Sequence, residues 1–289
     1  MDHIPHFPKD TILINGATQL IAHIGYPTEA FRAPMIYNPW FASKAINAIV
    51  VPMGVKADDY AAAFEHIFRL TNLRGALITM PHKVATVPLV DSLSVSARIA
   101  GACNAVARLP DGSLAGDQFD GIGFVRAAQR KGLRLAGMRV LIAGCGGVGS
   151  PIAAALAAAN VGEIRLFDID AQSCERLSQR LHEHYPDLRV ATGSNDPDGF
   201  DLVCNATPLG MRDDDPLPFD ISRLAPTTFV GEVVMKREIT PLLAAARSRG
   251  CQFQVGTDML FEMIPAYLEF FGYPAATSDE LRAVARLPD

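Results

Sequence analysis

The stretch RVLIAGCGGVG, running from Arg139 to Gly149, decides the fold. A short apolar strand-like run enters Gly144-Cys-Gly146-Gly-Val-Gly149, and an alanine-rich helical segment begins at once. A G-x-G-x-x-G spacing carries weight only in that strand-turn-helix setting. Gly144 permits the tight turn, Gly146 lets backbone approach a pyrophosphate, and Gly149 allows the helix to pack closely on the strand. Gly147 and Val148 complete the turn, whose free N–H groups and helix dipole attract phosphate. Asp168 closes the next predicted strand about twenty residues on, where a carboxylate accepts hydrogen bonds from the adenosine ribose hydroxyls. A 2′-phosphate there would meet like charge, so the expected cofactor is NAD in preference to NADP. The alternative is a plain tight turn followed by an aspartate that caps a helix.

Outward from this turn, strand-like and helix-like runs alternate. Downstream, strands are expected at 163–167, 188–191, 202–205, 229–234 and 252–255, with helices at 171–184 and from Pro241. Upstream, strands at 20–24, 48–53 and 75–79 alternate with helices at 35–46 and 60–70, and 105–115 reads as a hairpin turning at Asp111-Gly112. The pattern predicts an α/β protein of two lobes: an N-terminal α/β substrate domain and a C-terminal doubly wound parallel sheet of the Rossmann kind. The expected boundaries are 1–116, joined by C-terminal helices within 257–289, and 117–256. The last helix is expected to pack back on the first lobe. Asp213-Asp214-Asp215 reads as a solvated loop.

The 289 residues are 49% hydrophobic and 20% charged, as in soluble globular enzymes. A net charge of −5 offers no footprint for a polyanion, so nucleic acid is not an expected partner. The opening Met-Asp-His-Ile-Pro-His has no basic n-region or apolar h-region, and no run is long enough to span a bilayer, which predicts a cytoplasmic protein without a membrane partner. Five scattered cysteines contain no C-x-x-C pair and read as small buried hydrophobes, with no metal site.

Two more stretches carry chemistry: Gly75-Ala-Leu-Ile-Thr79-Met-Pro81-His-Lys83, and Gly101-Ala-Cys-Asn104 followed by Gly116-Asp-Gln118-Phe-Asp120-Gly121. With Asn205-Ala-Thr207-Pro-Leu-Gly210-Met211, they resemble the shikimate dehydrogenase family, whose pattern includes T-x-P-x-K, G-A-x-N and G-x-N-x-D-G. The resemblance runs from Ile24 to beyond Gly256. It implies a substrate lobe, an NAD(P) lobe, a site in the cleft, reversible oxidation of a ring hydroxyl to a ketone, and a place in aromatic amino acid biosynthesis. Lys83 and Asp120 match the catalytic pair; Thr79 and Asn104 match residues that hydrogen-bond substrate hydroxyls. Thr207, Val233 and Gly256 match the lining of the nicotinamide pocket.

The pair also makes chemical sense by itself. As hydride leaves carbon for nicotinamide, a proton leaves the hydroxyl and needs an acceptor. A buried lysine suits that role, and an aspartate beside it can orient ammonium and hydroxyl, although its charge also favours protonated lysine. Taken singly, Lys83 reads as a surface lysine and Asp120 as a helix cap. His82, beside the lysine, and His23, on an apolar strand, read as packing residues.

The chain departs from the family pattern on the substrate side. The usual Ser-x-Ser-Pro, whose hydroxyls bind a carboxylate, is Phe31-Arg32-Ala33-Pro34, so Arg32 either supplies that contact or is solvated. Gln118 and Leu77 stand at asparagine positions, Met235 at a tyrosine and Met263 at a glutamine, giving a less polar pocket. The expected partner is a small cyclic hydroxy acid such as shikimate or quinate, bound by a monomer or homodimer. Two alternatives stay open: a dehydrogenase of a less polar alcohol, and a non-catalytic NAD-binding sensor.

Overall fold

A computed structural model describes residues 14–212 and 214–287. The opening hexapeptide, Asp213 and the last two residues of the expected C-terminal extension lie outside the described residues. The chain divides into two compact units: residues 1–92, 103–116 and 267–289, and residues 93–102 and 117–266.

The first unit holds a six-stranded sheet of order β2-β1-β3-β5-β6-β4, with β1 Gln19–Gly25, β2 Ala48–Gly54, β3 Leu73–Ile78, β4 Ser92–Leu93, β5 Ala105–Arg108 and β6 Leu114–Asp117. β1, β2 and β3 run parallel and β5 runs antiparallel to β3. Successive side chains of a strand face opposite ways. Ala22, Ile24, Ala76 and Ile78 therefore bury one face against Tyr60 and Phe64 of α2 (Tyr60–Ile67). α1 (Pro34–Ser43) holds buried Tyr37, Trp40 and Phe41. The final helix, α9 (Ser278–Val284), packs on α1 as expected, tied by the Lys44–Glu280 pair at 2.8 Å. Its start is fixed by a capping box between Thr277 and Glu280.

The second unit is built on an all-parallel sheet of order β12-β11-β10-β7-β8-β9. Its strands are β7 Arg139–Ala143, β8 Glu163–Phe167, β9 Arg189–Thr192, β10 Leu202–Asn205, β11 Phe229–Glu232 and β12 Phe253–Gln254. Read from β9, the order is the 3-2-1-4-5-6 arrangement of the Rossmann fold. β7 shows why its sequence is continuously apolar: Val140 and Ile142 enter one core, Leu141 and Ala143 the other. The helices are α3 Val95–Ala100, α4 Asp120–Arg130, α5 Gly149–Ala158, α6 Ala171–His184, α7 Pro241–Ser248 and α8 Gly256–Phe270.

The division differs from the expected boundaries at two places. Residues 93–102 fall with the second unit because α3 packs on α5 and α6. α8 does so as far as Ala266, since Met259 enters the core that Val140 and Ile142 line and Lys131 and Asp258 pair at 3.0 Å. Within the aspartate run, Asp215 does more than face solvent. Asp215 accepts hydrogen bonds from the Gly210 and Arg212 amides, each at 2.9 Å, so its carboxylate holds the turn after β10, while Asp214 is exposed. All five cysteines are buried.

Candidate active site

In the second unit, β7 ends where the strand order reverses, with β8 on one side and β10 on the other. Ligands of such sheets bind beyond the carboxyl ends of the strands at that switch point. Gly144 has φ +97° there, and a Cβ on it would stand 2.7 Å from the Ala206 carbonyl carbon. A Cβ on Gly149 would overlap the Gly144 carbonyl oxygen. Only glycine meets both demands. Gly146 and Gly147 are exposed, and a Cβ on either would find nothing within 4 Å, which leaves an open backbone cradle of the kind a pyrophosphate fills. Half-buried Val148 occupies the cap position of α5. Ser150 stiffens the turn, its amide bonded to the Gly146 oxygen at 3.0 Å and its hydroxyl to the Cys145 oxygen at 2.8 Å.

Asp168 is half-buried and faces this turn. One carboxylate oxygen accepts the Cys145 amide at 2.7 Å and the other the Asp170 amide at 3.0 Å. The cap of α6 is Asp170, whose side chain accepts the Gln172 amide at 3.1 Å. Asp168 is thus tied to the glycine turn and does not cap the helix. The edge beyond β8 continues with fully exposed Ile169 and exposed Asp170, and Arg176 of α6 is paired with Asp170 at 3.2 Å. The open cradle and the carboxylate fit a dinucleotide.

The neighbouring strand ends are joined by a network that the sequence reading missed. Asn205 and Glu232 are register partners closing β10 and β11, and both are fully buried. The Glu232 carboxylate accepts Asn205 Nδ2 at 3.0 Å, the Val233 and Val234 amides at 2.9 and 3.1 Å, and the Thr240 hydroxyl at 2.8 Å. Asn205 Oδ1 in turn accepts the Thr207 amide and hydroxyl at 3.1 and 2.6 Å. One carboxylate therefore sets the backbone that carries both Thr207 and Val233. Burial pushes the Glu232 carboxyl up, and its donors pull it back. The available signal was an acidic residue ending an apolar strand, since a buried charge demands partners. Gly256 opens α8 against Val234, whose carbonyl carbon would lie 2.7 Å from a Cβ there.

Asp120 is the first residue of α4 and buried, while the cap position is Phe119 with no side-chain cap. Its amide donates to Gln118 Oε1 at 2.9 Å, and Gln118 Nε2 is buried with no hydrogen-bond partner among the described residues. Half-buried Met263 lies on α8 against α4, its Cβ 2.7 Å from where a Gly123 Cβ would be.

In the first unit, backbone bonds gather three of the expected residues at one end of the sheet. Thr79 donates its amide to the Ile24 oxygen at 2.9 Å, the Ile78 amide bonds the Asn104 oxygen at 2.8 Å, and the Cys103 amide bonds the Lys83 oxygen at 2.9 Å. The turn from Thr79 to Lys83 is thus clamped between the ends of β1 and β5. Asn104 is buried, and Thr79 and Lys83 are half-buried. His82 packs as expected, stacked on Tyr60 at 3.9 Å with Nε2 2.8 Å from the Val55 oxygen. Arg32, just ahead of α1, is half-buried, and its guanidinium has no partner among the described residues.

A Rossmann sheet with an open glycine turn, in a chain whose other unit is a smaller α/β sheet, defines a protein of the dinucleotide-binding α/β class. The model of the shikimate dehydrogenase substrate binding domain matches residues 23–106, and that of the ThiF family matches residues 122–184. The chain is 37% identical over 254 residues to the shikimate dehydrogenase (NADP(+)) of Rubrobacter xylanophilus, covering 86% of this chain and 88% of that one. Among solved structures it is similar to shikimate 5-dehydrogenase from Listeria monocytogenes, in complex with shikimate and NAD, with TM-score 0.88 and 26% identity over 96% and 99% of the two chains. It is also similar to 5-ketofructose reductase of a Gluconobacter species, with TM-score 0.83 and 25% identity over 92% and 97%. The chain belongs to the shikimate dehydrogenase family, and it is an NAD(P)-dependent oxidoreductase of the class that acts on CH–OH groups.

Proposed function

We propose that this protein is an NAD-preferring dehydrogenase that interconverts a ring hydroxyl and a ketone on shikimate, quinate or a related cyclic hydroxy acid. The observation that carries the reading is the gathering of Thr79, Lys83 and Asn104 by backbone bonds at one sheet end, in a chain that also holds an open dinucleotide turn. Lys83 accepts the hydroxyl proton, and Asp120 orients the reacting groups. Thr79, Asn104 and Gln118 hold ring hydroxyls, Met263 contributes an apolar wall, and Arg32 receives the carboxylate. A bound nicotinamide supplies the hydride acceptor. Gly144, Gly146, Gly147, Val148 and Gly149 take the pyrophosphate, Asp168 the adenosine ribose, and Thr207, Val233 and Gly256 the nicotinamide end.

Preference for NAD is supported by the Asp168 carboxylate and by Asp170, which occupies Arg176. An adenosine 2′-phosphate would meet those carboxylates beside an Arg176 already held by Asp170. The Rubrobacter relative is named for NADP(+) and the Listeria structure contains NAD, so membership of the family leaves this choice to the residues of the edge. The enzyme is proposed to work in the cytoplasm as a monomer or homodimer, without nucleic acid or membrane. A second reading, reduction of an uncharged polyhydroxy ketone, is favoured by Phe31 and Ala33, which offer no hydroxyl to a carboxylate, and by the likeness to 5-ketofructose reductase.

Replacing Lys83 tests the chemistry. Lys83→Ala is expected to lower kcat by about 10²- to 10⁴-fold, the usual worth of a positioned acid or base, with little change in KM. Steady-state NADH formation measures it, and a kcat near that of the wild type would refute the assignment.

A further inference from the structure

His23 has no part in the chemistry proposed above, and its sequence setting reads as packing. Its surroundings fit packing poorly. On β1, Ala22 and Ile24 enter the core beside α2, so His23 faces the other way, level with its register partner Leu77 on β3. There it stacks on Phe31, with ring centroids 4.0 Å apart and planes inclined by 26°. Gly25 leaves room for that phenyl ring, because a Cβ would lie 2.8 Å from Phe31 Cζ.

His23 is 8% exposed as a residue, and Nδ1 is buried with no hydrogen-bond partner among the described residues. Nε2 has no partner among the described residues either, but unlike Nδ1 it reaches the accessible surface. Buried polar atoms are ordinarily satisfied, and an aliphatic residue would fill this volume without forfeiting hydrogen bonds to water. Burial, reinforced by the positive charge of Lys83, pushes the His23 pKa down to about 4. The ring is therefore neutral near pH 7, with one nitrogen donating and the other accepting.

We infer that His23 determines substrate specificity by hydrogen-bonding, through Nε2, a hydroxyl or carbonyl oxygen on the substrate ring near the carbon whose hydroxyl Lys83 serves. The inference rests on Lys83 being the catalytic lysine. A neutral imidazole matches an uncharged oxygen, and by staying neutral it adds no second cation beside Lys83. Leu77, level with it on β3, has no polar side-chain atom, so the ring supplies a contact that its neighbour cannot.

The test is a double-mutant cycle between the protein and its substrate. His23→Phe keeps a ring of similar volume on Phe31, and the substrates are shikimate and its analogues lacking one ring hydroxyl each, with NAD saturating. For the wild type, removing one particular hydroxyl is expected to lower kcat/KM by about tenfold. For His23→Phe the intact substrate suffers about the same loss, and removing that hydroxyl costs nothing more. An equal penalty for every analogue, or no penalty at all, overturns the proposal. The same ligands added to the wild type with NAD are followed by the ¹H–¹⁵N resonances of the His23 ring, which are expected to shift with shikimate and not with the analogue lacking the contacted hydroxyl. A ring that shifts with no ligand overturns the proposal. A selective ring shift without turnover supports the contact and removes the dehydrogenase reading, whereas turnover without coupling does the reverse.

Discussion

In the second unit, the residues that would meet a dinucleotide are fixed by backbone geometry: a left-handed Gly144, a Gly149 with no room for a methyl group, and exposed Gly146 and Gly147. In the first unit backbone bonds at the ends of three strands gather Thr79, Lys83 and Asn104, near which Phe31 stacks on His23, and any selectivity there belongs to side chains. A phosphate is recognised by backbone N–H groups, which line up here only because Gly144 and Gly149 take a path closed to a side chain, so the turn tolerates little variation. A substrate ring is recognised by side chains, and those can be exchanged one at a time. The same fold thus keeps its coenzyme chemistry while its substrate changes.

One methyl group added to the turn is expected to disturb the protein most. Gly149→Ala would press a Cβ into the Gly144 oxygen, an overpacking cost of about 1–3 kcal/mol. The expected result is NAD binding weakened by about 10- to 100-fold, measured by fluorescence titration, with a Tm lowered by several degrees. Unchanged affinity would mean that the turn is not a tight constraint. Next in size is the coenzyme choice. Asp168→Ser is expected to shrink the ratio of kcat/KM for NAD over NADP by about tenfold, in line with the worth of a hydrogen bond to a charged group. A ratio that does not move would detach coenzyme preference from this carboxylate. The smallest effect belongs to the substrate side: Arg32→Ala should raise KM for an acidic substrate by about five- to tenfold with kcat preserved, because a half-buried guanidinium is partly screened. An uncharged substrate would be indifferent to that change, so the same variant separates the two substrate readings.

Elements whose signals are local stand out in the sequence, and those that depend on distant segments do not. The predicted limits of β8 and α6 coincide with the observed ones because apolar period and caps agree over those segments. α3 escaped because six residues carry too little periodicity, and only the caps at Ser94 and Gly101 mark it. Glu232 escaped because its partners, Asn205 and Thr240, come from separate segments, and strand pairing alone reveals them. Asp168 was placed beside the turn by spacing, but its bond to the Cys145 amide is a tertiary fact. The missing hydroxyls of Phe31 and Ala33 were plain in the sequence, whereas the neutral His23 beside Lys83 depends on burial and on a strand register that bring residues from β1 and the turn after β3 together.

A site proposed to couple NAD to a cyclic hydroxy acid must turn that acid over. The most direct measurement is the rate of NADH or NADPH formation at saturating coenzyme with shikimate and quinate, set beside reduction of 5-ketofructose. The expected result is oxidation of a cyclic acid with a kcat/KM for NAD at least about tenfold above that for NADP. No turnover of either acid, or equal use of the two coenzymes, would contradict it.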